Sequence, residues 1–162
     1  GLKRISFAEN CDIKDVDVVN LPQIEELDIY NYEISKAVYK YLHLMPNLKR
    51  LVLNIDESFD LNYLKELKQL ESLQLVNYPY DSLENISMLT SLKGLIMPSN
   101  KIKSLSGIEK LTNLTLIRLN DNQITDVSPL KNFTKANIVL KNNPITDWTP
   151  LSHIETKIDG RD

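Results

Sequence analysis

The residues most able to do chemistry near neutral pH are the two histidines, His43 and His153. They lie far apart, and neither has a Cys or His neighbour at metal-ligand spacing. Their types and positions point to surface or half-buried structural roles. A serine or cysteine nucleophile needs a base within hydrogen-bond reach, and no nucleophile motif of the G-x-S-x-G kind is present. Asp56 with Asp60, and Asp121 with Asp126, are carboxylate pairs that could meet a calcium ion. Neither pair stands in the D-x-D-x-D-G loop that such an ion requires. Glycine occurs only at Gly1, Gly94, Gly107 and Gly160, too sparsely for a phosphate-cradling loop. Cys11 is the one cysteine, so no internal disulfide can form; a lone thiol suits a reducing compartment or an exterior one that uses few disulfides. These residues predict a chain without catalysis, cofactor or metal, and leave a binding surface as the seat of function.

Composition narrows the partner. The chain has 162 residues, 42% hydrophobic and 25% charged, enough for one globular domain with a sizeable core. A net charge of −3 gives no footprint for nucleic acid and no polybasic membrane patch. No apolar run approaches the roughly 18 residues that span a bilayer. The opening "GLKRISF" does not read as a signal peptide. The Asn-, Lys- and Ile-rich composition is that of an AT-rich bacterial genome, where the sequons at Asn85, Asn113 and Asn132 carry no meaning.

What must position any binding residues is a repeat. "LIRLNDNQITDVSPL", residues 116–130, restates "LIMPSNKIKSLSGI" from Leu95 onward. The template L-x-x-L-x-L-x-x-N-x-I recurs from Leu2, Ile24, Leu48, Leu70, Leu92, Leu114 and Lys135, with a broken eighth copy near Glu155. The domain therefore reads as 1–162 with seven to eight repeats, or as a segment of a longer chain. Alternating apolar residues such as Leu95 and Met97 predict a short strand. The Asn at position 9 follows where the chain turns, and its amide can bond backbone groups there. Beyond it apolar residues recur every three, as in Ile102, Leu105, Ile108 and Leu111, which predicts a 3₁₀-like or extended arc. Each turn sends about seven apolar side chains inward, at roughly 1.5–3 kcal/mol each. No turn closes that core alone, so the turns must stack. Copy two is longer, and its "EISKAVYKYLHLM" places Ile34, Val38, Tyr41, Leu42 and Met45 on one helical face. "LNYLKELKQL" predicts a second short helix. Trp148, in the last full turn, reads as a plug at the open end of the stack.

"NQITDVSPLKN" and "NNPITDWTPLSHI" resemble the bacterial 22-residue leucine-rich repeats of internalin-like proteins, and the resemblance covers nearly the whole chain. It implies an α/β fold: a right-handed solenoid with a parallel concave β-sheet and short helical or 3₁₀ convex segments. It also implies a non-catalytic, secreted or cell-surface protein that binds other proteins through that sheet. The chain departs from the full pattern in three ways. Repeat register begins at Leu2 without a helical cap, no immunoglobulin-like domain follows, and no sorting signal is present. Two other readings stay open: a structural spacer of a larger surface protein, and an intracellular (cytoplasmic) regulatory scaffold.

Template positions 3, 5, 7 and 8 should face outward from the strands. There Tyr30, Val52, Ile55, Val76, Ile96 and Pro98 should form an apolar patch on copies two to five. Asn54, Gln74 and Asn77 stand among them, with Arg118, Asn120 and Asp121 beside them. An exposed apolar patch with a polar rim is a common mark of a protein-binding site. The opposing explanation is that β-branched residues simply suit strands. The residues name no particular protein partner and set no oligomeric state.

Overall fold

The computed structural model describes residues 1–7 and 21–161. The reading of Cys11 lies outside them. Eight strands form one parallel sheet in sequential order: β1 (Arg4–Phe7), β2 (Glu26–Ile29), β3 (Arg50–Asn54), β4 (Ser72–Val76), β5 (Gly94–Ile96), β6 (Leu116–Arg118), β7 (Asn137–Val139) and β8 (Ile158–Asp159). The register superposes the template: Leu27 pairs with Leu51, Leu51 with Leu73, Leu73 with Leu95, Leu95 with Ile117, and Ile117 with Ile138. Each of these is at most 2% exposed, and they belong to one continuous core cluster. Parallel strands need long crossovers, and the rest of each repeat supplies one. The result is a right-handed leucine-rich-repeat solenoid.

The period of three after the strands is a 3₁₀ arc. Short 3₁₀ segments occupy Glu84–Ile86, Ile108–Lys110, Ser128–Leu130 and Thr149–Leu151. Three residues per turn keep every third side chain on one face, so Ile102, Leu105, Ile108 and Leu111 are all buried. The "D-x-S/T-P-L" phrase starts two of these arcs. Asp126 accepts from the backbone N–H and the hydroxyl of Ser128, at 2.8 and 3.0 Å, and Asp147 does the same with Thr149. The proline sits where its missing N–H costs nothing. Asp56 bonds Ser58 and Asp60 bonds Asn62 in the same way. These acids shape turns.

The longer second copy departs from a single helical face. An α-helix, α1 (Tyr32–Val38), is capped by Asn31 and passes into a 3₁₀ helix over Tyr39–Leu44. The tighter winding moves the buried stripe to Tyr39, Leu42 and Met45, and Tyr41 is left only half-buried. The Tyr39 hydroxyl donates to the Asn54 carbonyl at 2.9 Å, and its ring meets Phe59 edge-on with centroids 4.5 Å apart. The second expected helix is a single turn, α2 (Asn62–Lys65). Trp148 and Ile145 are half-buried and lean on the core cluster, while Leu151 and Ile154 complete the last turn's interior.

Candidate functional site: the open face of the sheet

The sheet face turned away from the core is built by turns that differ between the two halves of the chain. In copies four to seven, position 8 adopts the left-handed conformation: Asn77, Ser99, Asp121 and Asn142 have φ of 58°, 54°, 58° and 59°. Small polar residues tolerate that region and β-branched ones do not. In copies five to seven the reversal delivers the position-9 Asn inward. Asn122 accepts from the Ile102 N–H at 3.1 Å and donates to the Met97, Leu119 and Asn120 carbonyls at 2.9, 3.0 and 3.2 Å. Asn143 accepts from Ile124 and donates to Leu119 and Leu140; Asn100 accepts from Tyr78 and donates to Leu75 and Pro98. A ladder of amides thus carries the backbone polar groups that the bend would otherwise bury unpaired.

Copies two and three lack that turn, and this corrects two expectations. Ile55 stays extended, with its N–H on the Val76 carbonyl at 2.9 Å. Alternation along the strand then sends its side chain inward, 1% exposed and within the core cluster. Val52 does point to the open face, yet it is 0% exposed and outside the core cluster. Its registered neighbours are Asp28 and Gln74. Asp28 is held down by Arg4 and Arg50, each at 2.9 Å. A short valine among these longer side chains loses its contact with water. Neither Val52 nor Ile55 is available to a partner.

The other expected residues lie as follows. Tyr30, Asn54, Gln74, Val76, Ile96, Pro98 and Asn120 are half-buried, and Arg118 is exposed. Asn54 is already engaged: it donates to the Tyr30 carbonyl at 3.0 Å and accepts from Asn77 at 2.8 Å. Asn120 donates to Asp121, which also accepts from Asn142. The Asn142 and Asn120 amides hold the Asp121 carboxyl below its usual range. Accessible apolar surface therefore shifts toward the C-terminal half, to Val76, Ile96 and Pro98. Leu116 and Val139 extend it; both are half-buried on β6 and β7. Leu116 stands at position 3, which the pattern marks as outward; it went unnoticed because apolar residues there are the exception. Beside it Gly94 is small, and the Leu116 side chain reaches to 3.9 Å of where a Cβ would stand.

Charge is arranged along the edge where strands begin. Position 2 alternates Lys3, Glu25, Lys49, Glu71 and Lys93, with Lys3–Glu25 at 2.5 Å and Lys49–Glu25 and Lys93–Glu71 at 2.9 Å. The Lys3 ammonium, and then Lys49, pull the Glu25 carboxyl down to about 2. In copies two and three the position-9 residues also interact, the Tyr32 hydroxyl donating to Asp56. Ser58 first, and then Tyr32, keep that carboxyl low.

The histidines are both exposed, and His153 Nε2 lies 2.7 Å from the Lys131 carbonyl oxygen. Among the described residues no group of three or more His, Cys, Asp or Glu could hold a metal ion. A cleft of about 500 Å³ lies between the arcs of copies five and six, lined by Lys103, Ser106, Glu109, Asp126 and Lys131 among others. Most of its lining residues are polar or charged, and it belongs to the crossovers, away from the sheet. No helix among the described residues is long and apolar enough to cross a membrane.

Comparison with known proteins agrees with this architecture. The family model described as Leucine Rich repeats (2 copies) matches residues 90–132. No curated protein sequence matches the chain. Among solved structures, internalin C2 of Listeria monocytogenes aligns at 20% identity and TM-score 0.57, over 83% of this chain and 69% of that one. Another Listeria monocytogenes internalin aligns at 25% identity and TM-score 0.64, over 86% and 42%. A leucine-rich-repeat protein of Leptospira interrogans aligns at 23% and 0.60, over 86% and 44%. The chain thus spans less than half the length of the latter two. Such a fold supports a protein–protein interaction module; the chain is a leucine-rich-repeat solenoid, internalin-like in its repeats and in its fold.

Proposed function

We propose that this domain is a non-catalytic recognition module of a bacterial surface or secreted protein, and that it docks a partner protein on the open face of its sheet. The observation that carries the reading is the set of half-buried apolar side chains Val76, Ile96, Pro98, Leu116 and Val139, bordered by Gln74, Arg118 and Asn120. Apolar centre and polar rim are the anatomy of a protein interface. The strands beneath are fixed by the amide ladder and the core, so docking orders little backbone and loses little entropy. A face of this kind can supply about 800 Å² per partner, the scale of a standard interface. The likeness to Listeria and Leptospira repeat proteins supports the bacterial assignment.

The test is a paired pull-down with the wild-type domain and a Val76→Glu, Ile96→Lys double variant, both checked by circular dichroism. Extracellular host proteins and the organism's own lysate are offered separately. A partner held by wild type and lost by the variant is expected, and the fraction that yields it assigns the compartment. A partner retained by both, or none retained by either, removes the open face as the site and favours a spacer role.

A further inference from the structure

Four arginines occur in the chain, and three are committed to the fold. Arg4 and Arg50 clamp Asp28 at 2.9 Å each. Arg161 donates to the Leu151 and Ile154 carbonyls at 3.0 and 3.3 Å, closing the last turn. The Arg118 side chain alone has no hydrogen bond, ion pair or ring contact among the described residues. It is exposed, at position 5 of the repeat and at the end of β6, and its registered neighbours are Ile96 on one side and Val139 on the other. Leu116 lies two residues before it on the same face. At about 4.8 Å between strands, a guanidinium here emerges from the middle of the apolar patch. A solvated rim arginine would have acidic neighbours at hand. The acids on this part of the face are Asp121 and Asp159. Asp121 is occupied by Asn120 and Asn142, and Asp159 is two strands away, beyond Val139. Lys141 and Lys157, both exposed, add positive charge nearby.

We infer that Arg118 is a specificity-determining residue of this face, which takes a partner segment presenting a carboxylate flanked by apolar side chains. The inference rests on the reading of the open face as a docking surface. Guanidinium and carboxylate match as a two-bond fork. The apolar neighbours exclude water around that fork once the partner's flanking side chains settle on Ile96, Leu116 and Val139, which is the setting in which interface arginines dominate binding. Complementary charge also selects among partners of equal apolar area.

The experiment titrates the isotope-labelled domain with two soluble probes, N-acetyl-Ser-Leu-Glu-Leu-Ser-amide and its glutamine counterpart, and follows the Arg118 Nε signal and the amides of Ile96, Leu116 and Val139 by NMR. The glutamate probe should move all four and bind about tenfold more tightly than the glutamine probe, the scale of a hydrogen bond to a charged group. Arg118→Gln should abolish that preference while leaving the fold intact, and Arg118→Lys should retain only part of it. Equal affinity of the two probes on this face overturns the carboxylate assignment and leaves the docking surface standing. A preference that survives Arg118→Gln, or shifts confined to other faces or absent, also overturns it. Retention of the partner by the Val76→Glu, Ile96→Lys variant overturns the docking surface itself.

Discussion

Replacing Asn122 by alanine tests the account of how the turns are held. The residue is 7% exposed, and its side chain serves backbone groups of two successive repeats. Its removal leaves the Ile102 N–H and the Met97 carbonyl with no other partner among the described residues, while the Leu119 carbonyl keeps Asn143 at 2.9 Å. Two buried groups orphaned at about 1–3 kcal/mol each give a loss of about 4 kcal/mol. For a domain of this size that lowers the melting temperature by about 8–16 °C. Asn100→Ala and Asn143→Ala, at half-buried positions where water can replace the amide, should lose about half as much. Asn122→Asp should be no better than alanine, since a carboxylate keeps the bond from Ile102 but turns its other oxygen on three carbonyls. Calorimetry and urea unfolding read the global loss; hydrogen exchange at the Ile102 amide reads the local one. A loss under about 1 kcal/mol, or equal losses at all three asparagines, refutes the reasoning.

The two halves of the expected binding patch should respond unequally to charge. Val52→Glu puts a carboxylate at a fully buried site beside Asp28 and should destabilise by about 2–4 kcal/mol, whereas Val76→Glu should stay within about 1 kcal/mol; thermal melts that rank them the other way contradict the burial described above. The position-2 ladder predicts an acid limb of stability. Glu25 has a folded-state pKa of about 2 against its ordinary 4.5, so its contribution is present above 4.5 and is lost as the pH falls toward 2. Glu25→Gln should flatten the melting temperature over that window, by a small amount that salt reduces further. A carboxyl NMR titration with its midpoint near 4.5 would remove the effect.

Much of this molecule is written in its spacing. Apolar residues at positions 1, 4 and 6, an Asn at 9 and a period of three thereafter leave the chain few ways to bury its leucines, because each turn needs a neighbour of the same shape. That is why the sheet, the arcs and the core were legible from residues alone, and why the Asn ladder at 100, 122 and 143 followed from counting backbone bonds. The acids of the D-x-S/T phrase were visible but unexplained until the turns they cap were seen.

The candidate face was legible only as a direction. Sequence period says which side chains leave the core; it cannot say what lies over them. Val52 obeys the period and is still covered, because Asp28 and its two arginines assemble beside it from other turns. Ile55 faces inward because an isoleucine does not take the left-handed turn that Asn77, Ser99, Asp121 and Asn142 accept, so the alternation of the strand continues through it. Arg118 was legible in the sequence as an outward residue beside the patch, but not as a side chain without a partner. Only the assembled fold gives the Arg4, Arg50 and Arg161 side chains their partners and leaves that of Arg118 without one among the described residues, since those partners come from residues 7 to 24 positions away. The sequence by itself determined the repeat, its core and its outward columns; the tertiary structure decided which outward residues water can reach, because exposure depends on neighbours that sequence distance does not reveal.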